Sequence, residues 1–210
     1  MSTTDRVQKQ SIAPAPRRPA RPRRNERRGA RRTMTIYRLV QIECECDEGL
    51  ARCRNISDTG MMLDCRMAVA VGDEVRVTFS QTFAVVGRVV WTEGGSCGIA
   101  FARPIDCADL LRRSADESRC DRARPLRLKT STSARLFVDG EIHPTHVCDI
   151  SQRGMCVMHD GWLQPGMRVW IVLPCGAEKG ALVRWAHEEQ AGLFLSDPFS
   201  VEALGSVHAL

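Results

Sequence analysis

The sequence predicts an all-β chain made of two tandem small antiparallel barrels, and three observations lead there. The 210 residues repeat themselves: a shift of 94, ungapped from 55 to 104, leaves ten of fifty positions identical. Ile56-Ser57 falls on Ile150-Ser151, Gly60-Met61 on Gly154-Met155, Gly72 on Gly166, Val89-x-Trp91 on Val183-x-Trp185, Gly98 on Gly192 and Pro104 on Pro198. Apolar residues alternate as in half-buried strands, at Val75, Val77 and Phe79 and again at Met167, Val169, Ile171 and Leu173. Gly, Asp and Pro turn signals bound these runs, so each copy reads as five or six short strands over about 90 residues, a small closed or split barrel.

The elements follow in chain order. The first 22 residues are rich in Ala, Pro and Arg, bury too little to order themselves, and are expected to be a disordered basic arm. One domain is expected over 23–117 and a second over 118–210. The β-branched run from Val85 to Trp91 reads as a strand, and Trp91 and Trp185 are expected in the barrel core or at a packed barrel end. A short helix is expected to close each copy. Ile105 to Ser114 has apolar positions at helical spacing, and Asp197-Pro198 offers an N-cap followed by proline for a helix running to Leu210. Upstream of the ungapped block, Arg135-Leu136 aligns with Arg38-Leu39 at an offset of 97, which implies a first hairpin three residues shorter in the second copy.

Charge is unevenly placed. The first 33 residues hold Lys9 and ten arginines against Asp5 and Glu26, a net +9, and the rest of the chain is net −4. Such an arm suits an anion, a phosphate-rich ligand or nucleic acid. No uncharged apolar run approaches the ~18 residues of a membrane span, and no apolar segment follows the arginine pairs, so a cytoplasmic protein is expected. The ten cysteines form no CxxC, and no HExxH occurs. Cys46, Cys65, Cys97, Cys148 and Cys156 sit among Val, Ile, Leu and Met, as reduced apolar fillers would. The five histidines are scattered, no nucleophile–base pair or Walker-type loop is visible, and neither enzymatic activity, a metal nor a cofactor is expected.

Two elements carry a candidate binding site. Arg27, Arg28, Arg31 and Arg32 cluster just ahead of the first strand, with Arg27/Arg31 and Arg28/Arg32 each four apart. Asn55-Ile56-Ser57-Asp58-Thr59-Gly60 follows at a strand-to-strand turn. Guanidinium groups grip phosphates bidentately and stack on bases, Asn55 and Ser57 offer polar atoms to a base edge, and Gly60 permits positive φ or close approach. This order of RxxxR, [D/N]xSxxG and a final strand with Val89, Trp91, Gly98 and Phe101 resembles the PilZ domain, over about 25–117 and, more loosely, 118–210. The resemblance implies six-stranded barrels and a receptor for the dianionic messenger cyclic di-GMP, with Arg27, Arg28, Arg31, Arg32, Asn55, Ser57 and Gly60 at the site. The arm would fold over the barrel as the ligand arrives and so change the angle or contact between the two barrels, or free a surface for an unidentified protein partner.

The second copy keeps Asp149, Ser151 and Gly154, but Arg122, Arg124 and Arg127 include no pair four apart. Arg124, Arg127, Asp149, Ser151 and Gly154 therefore make a degenerate second site, in a domain expected to serve more for packing, dimerisation or effector contact. Two alternatives stay open. One is a ligand-independent adaptor that binds only protein. The other is a small-barrel nucleic-acid binder, which the acidic body and the shortage of aromatics argue against.

Overall fold

The structure, a computed structural model, describes residues 33–80, 82–119 and 124–210. Its strands form two closed antiparallel barrels. The first is β1 (Met34–Glu43), β2 (Glu48–Ser57), β3 (Gly60–Asp64), β4 (Glu74–Ser80), β5 (Phe83–Glu93) and β6 (Ser96–Phe101), in spatial order β1-β2-β3-β6-β5-β4. Helix α1 (Cys107–Arg119) follows. The second barrel repeats the plan with β7 (Leu128–Val138), β8 (Glu141–Ser151), β9 (Gly154–Met158), β10 (Arg168–Val172), β11 (Glu178–His187) and β12 (Gln190–Leu195), β7 closing on β10.

Alternation decides what faces inward. Val40 and Ile42 of β1, Val75, Val77 and Phe79 of β4, and Ile99 of β6 fill the first barrel, while Ala134, Leu136, Val169, Ile171 and Leu193 fill the second. Fully burying one such side chain contributes about 1.5–3 kcal/mol. Three bulges repeat, and a further irregularity between Thr78 and Ser80 of β4 belongs to the first barrel alone. Each barrel has one in its first strand (Thr35/Arg38, Lys129/Thr132), one in its second (Cys53/Asn55, Val147/Asp149) and one in its fifth (Val89/Trp91, Val183/Trp185).

Those registers correct the expected upstream offset. Met34 pairs with Ile56 and Leu128 with Ile150, so the shift of 94 runs unbroken through the first hairpin. Arg38 thus corresponds to Thr132, and Thr33 to Arg127. The second hairpin is tighter because Asp139 and Gly140 both take positive φ, 49° and 88°, the geometry of a two-residue turn whose twist matches its strands.

After the barrels the copies diverge. Asp106 caps α1, its carboxylate accepting from the Asp109 N–H at 3.0 Å, and Asp109 pairs one turn on with Arg113 at 2.7 Å. Arg38 donates to the Ser114 carbonyl at 2.8 Å and so ties α1 to the barrel. The expected second helix is absent as an α-helix. Asp197 pairs with Lys179 at 2.6 Å, Gly205 interrupts the run, and residues 201–205 make turns before a single 3-10 turn at Val207–Ala209.

That tail lies against the first barrel. The Leu50 N–H donates to the Leu204 carbonyl at 2.7 Å, the Ser206 hydroxyl to Asp47 at 2.6 Å, and Arg52 pairs with Glu202 at 3.2 Å. Leu50, on β2, is buried within the second barrel's core cluster together with Leu204 and Leu210. No helix among the described residues is long and apolar enough to cross a membrane.

Candidate functional site

Both strand-to-strand turns singled out by the sequence are closed by their own serine. The Ser57 hydroxyl donates to the Gly60 carbonyl at 3.2 Å, and the Ser151 hydroxyl to the Gly154 carbonyl at 3.1 Å. Neither glycine takes a positive φ. They are needed for close approach instead. A Cβ at Gly60 would lie 2.5 Å from the Ile99 carbonyl oxygen, and one at Gly154 would lie 3.1 Å from that of Leu193.

In the second barrel this turn forms one wall of a cleft of about 640 Å³. Arg127, Arg153 and Arg184 supply three guanidinium groups to it, and Trp185, Phe194 and Pro198 supply apolar surface. Arg127 enters from the segment just before β7 and pairs with the Asp149 carboxylate on β8. Arg184 stands 6.0 Å over the Phe194 ring. The Trp185 indole lies flat across Gly192, where a Cβ would collide with the ring. Such a surface offers bidentate donors for phosphate oxygens and ring faces for a planar heterocycle.

The tryptophans correct a second expectation. Trp91 and Trp185 are 39% and 43% exposed, outside the core. The cause is the fifth-strand bulge: Val183 points inward, and the irregularity before Trp185 turns the next inward position out. Of the two places expected for Trp185, the barrel core is the one overturned, and Arg153, Arg184 and Phe194 beside it were not singled out from the sequence. Arg153 lies inside the DxSxxG element and Arg184 inside Val-x-Trp, so motif spacing already held both. Of the residues expected at the second site, Arg127, Asp149, Ser151 and Gly154 are brought together, while Arg124 is exposed and does not line the cleft.

The first barrel presents the same backbone with other side chains. Asn55, Ser57 and Gly60 stand at one turn, the Asn55 amide 3.8 Å from the Met62 sulfur. Asp58, where the second barrel has Gln152, is buried and serves the start of α1: its carboxylate accepts from the Cys107 N–H at 3.2 Å and its carbonyl from that of Ile105 at 2.8 Å. Thr59, Val90 and Ala100 replace Arg153, Arg184 and Phe194. Arg27, Arg28, Arg31 and Arg32, expected to serve this barrel, lie outside the described residues.

The cysteines divide. Cys53, Cys65, Cys97 and Cys156 are buried, whereas Cys46, expected as a filler, is exposed on the β1–β2 hairpin. Burial pushes the Cys53 thiol up to about 12. No group of three or more His, Cys, Asp or Glu among the described residues could hold a metal ion.

The family profile of the PilZ domain matches residues 22–116 and again residues 119–201. This chain belongs to the PilZ domain family. Solved structures similar to this tandem PilZ chain include the Borreliella burgdorferi PlzA protein in complex with c-di-GMP, at 11% identity over 87% of this chain and 93% of that one, TM-score 0.36. The Bacillus subtilis inhibitor of motility MotI/DgrA follows at 16% identity over 81% and 94%, TM-score 0.35. YcgR in complex with c-di-GMP from Escherichia coli is 14% identical over 77% and 75%, TM-score 0.29. No curated protein sequence matches the chain.

Proposed function

We propose that this tandem PilZ protein is a non-enzymatic receptor for cyclic di-GMP. The observation that carries the reading is the convergence of Arg127, Arg153 and Arg184 with Trp185 and Phe194 on one cleft beside the Ser151–Gly154 turn. Cyclic di-GMP is a dianion with two flat purines, and these residues supply both kinds of partner. PilZ membership supports the same ligand, as do the complexes of PlzA and YcgR. The first barrel carries the parallel elements Asn55, Ser57 and Gly60, with its cations supplied by Arg27, Arg28, Arg31 and Arg32 from the arm. Ligand binding is relayed to a protein partner through the contact between the barrels, since Leu50 and Leu204 join them by a direct backbone bond.

Calorimetric titration with cyclic di-GMP, with cyclic di-AMP and GTP as controls, tests the reading. Saturable binding of the guanine dinucleotide alone is expected, weakened by substitution of Arg127, Arg153 and Arg184. An equal response to all three nucleotides, or to none, overturns it.

A further inference from the structure

The second-strand bulge of the second barrel has an unusual occupant. Val147 pairs with Val157 and Asp149 with Cys156, so Cys148 is the extra residue, and it and Asp149 together oppose Cys156. The two cysteines thus face each other across the β8–β9 ladder, and the Cys156 thiol donates to Gln190 Oε1 at 3.9 Å. Cys156 is buried and Cys148 partly open to solvent, and both are free thiols. Burial first, and then the Asp149 carboxylate, push the Cys156 thiol up to about 11, so it stays protonated. The other close pairs are poorer candidates. Cys65 and Cys97 are 7% and 1% exposed, out of reach of an oxidant, and Cys44 and Cys46 are too close along the chain for an unstrained bridge.

From this geometry we infer that Cys148 and Cys156 form a reversible thiol–disulfide pair through which hydroperoxides regulate the cleft of the second barrel. The inference rests on the receptor reading above. Cys148, the accessible partner, attacks hydrogen peroxide as the thiolate; an S–O bond forms, the O–O bond breaks, and water leaves once the departing oxygen takes the thiol's proton. The Cys156 sulfur then attacks the Cys148 sulfenic acid, and a second water leaves with the Cys156 proton. Two thiols are oxidised, one peroxide is reduced to two waters, and a dithiol reductant reverses the change. Closing the bridge draws the bulged residue towards β9. Asp149, next in the chain, is displaced with it, and its grip on Arg127 is lost.

The full-length protein is treated with hydrogen peroxide and digested with trypsin under non-reducing conditions. The expected product links peptides 136–153 and 154–168, which Arg153 separates, with a loss of about 2 Da from the summed masses. Cyclic di-GMP should bind about tenfold more weakly to the oxidised than to the reduced protein, the scale of one lost charge-assisted hydrogen bond. The linked peptide and the loss of affinity should vanish in Cys148→Ser, and in Cys156→Ala should packing there tolerate it. Absence of the linked peptide overturns the inference whatever the titration gives, and so does a linked peptide with unchanged affinity. If the reduced protein binds no cyclic di-GMP, the receptor reading fails, and the peptide map still decides whether the pair closes.

Discussion

The two barrels share the bulges of their first, second and fifth strands and the spatial order of all six, yet their rims differ at the positions that would meet a ligand. Arg127, Arg153, Arg184 and Phe194 of the second stand where the first has Thr33, Thr59, Val90 and Ala100. Gln152 replaces Asp58, whose carboxylate is committed to α1. The shared part answers to backbone geometry, which admits few substitutions: Gly98 and Gly192 are both needed beneath an indole. The divergent part lies outside the barrels, where side chains are free to change without disturbing the core. A duplicated barrel therefore keeps its interior and specialises its rim.

The most severe test of that contrast removes the cations. Arg127→Ala, Arg153→Ala and Arg184→Ala together should weaken cyclic di-GMP binding by at least about 100-fold, since each charge-assisted bond is worth about 1.5–3 kcal/mol. Differential scanning fluorimetry should show a melting temperature moved by no more than about 2 °C, because exposed side chains contribute little to stability. Arg27→Ala with Arg31→Ala is the matching change in the arm. If it alone abolishes calorimetric binding, the ligand is held by the first barrel with the arm, and the cleft of the second is not the receptor site.

Glycine substitutions come next. Gly60→Ala sets a methyl 2.5 Å from a backbone oxygen that cannot swing away, and should cost about 2–4 kcal/mol in urea unfolding. Gly154→Ala, with 3.1 Å available, should cost about 1 kcal/mol. Equal costs would mean that the two turns are not held at different distances. Trp185→Ala should lower affinity about tenfold through lost stacking, while Trp91→Ala should leave the second barrel's binding unchanged in the same titration. Glu202→Ala should give the smallest effect, an unfolding midpoint indistinguishable from wild type, because its pair with Arg52 is exposed and screened by solvent.

Much of the fold was legible because alternation and glycine spacing act locally. Val75, Val77 and Phe79 announce their strand, and Gly72 with Gly166, both at positive φ, announce the turn before it. What stayed hidden was non-local. The bulge that turns Trp185 outward depends on pairing with β12, and no pattern along β11 alone reveals it. The helix expected from Asp197-Pro198 has the right cap, but Asp197 is drawn to Lys179 on a neighbouring strand and Gly205 breaks the run. At the candidate site, the DxSxxG element marks the turn that walls the cleft of the second barrel. Arg153 and Arg184 sit inside the DxSxxG and Val-x-Trp patterns, but at positions those patterns leave open, and they converge only when the β8–β9 turn and β11 are folded together.

Leu50 carries a longer consequence. It belongs by sequence to the first copy and by packing to the second; beside it a Cβ at Gly49 would lie 2.1 Å from the Gly205 carbonyl oxygen, and one at Gly205 would lie 2.4 Å from the Arg66 Cβ. A duplication that began as two interchangeable modules has become a pair in which one half completes the other's interior. Either barrel expressed alone would expose an apolar face that its former twin now covers. The two halves are consequently bound to a common history: a change at the β1–β2 hairpin is felt in the last ten residues of the chain, and neither can be exchanged for a relative's without its counterpart.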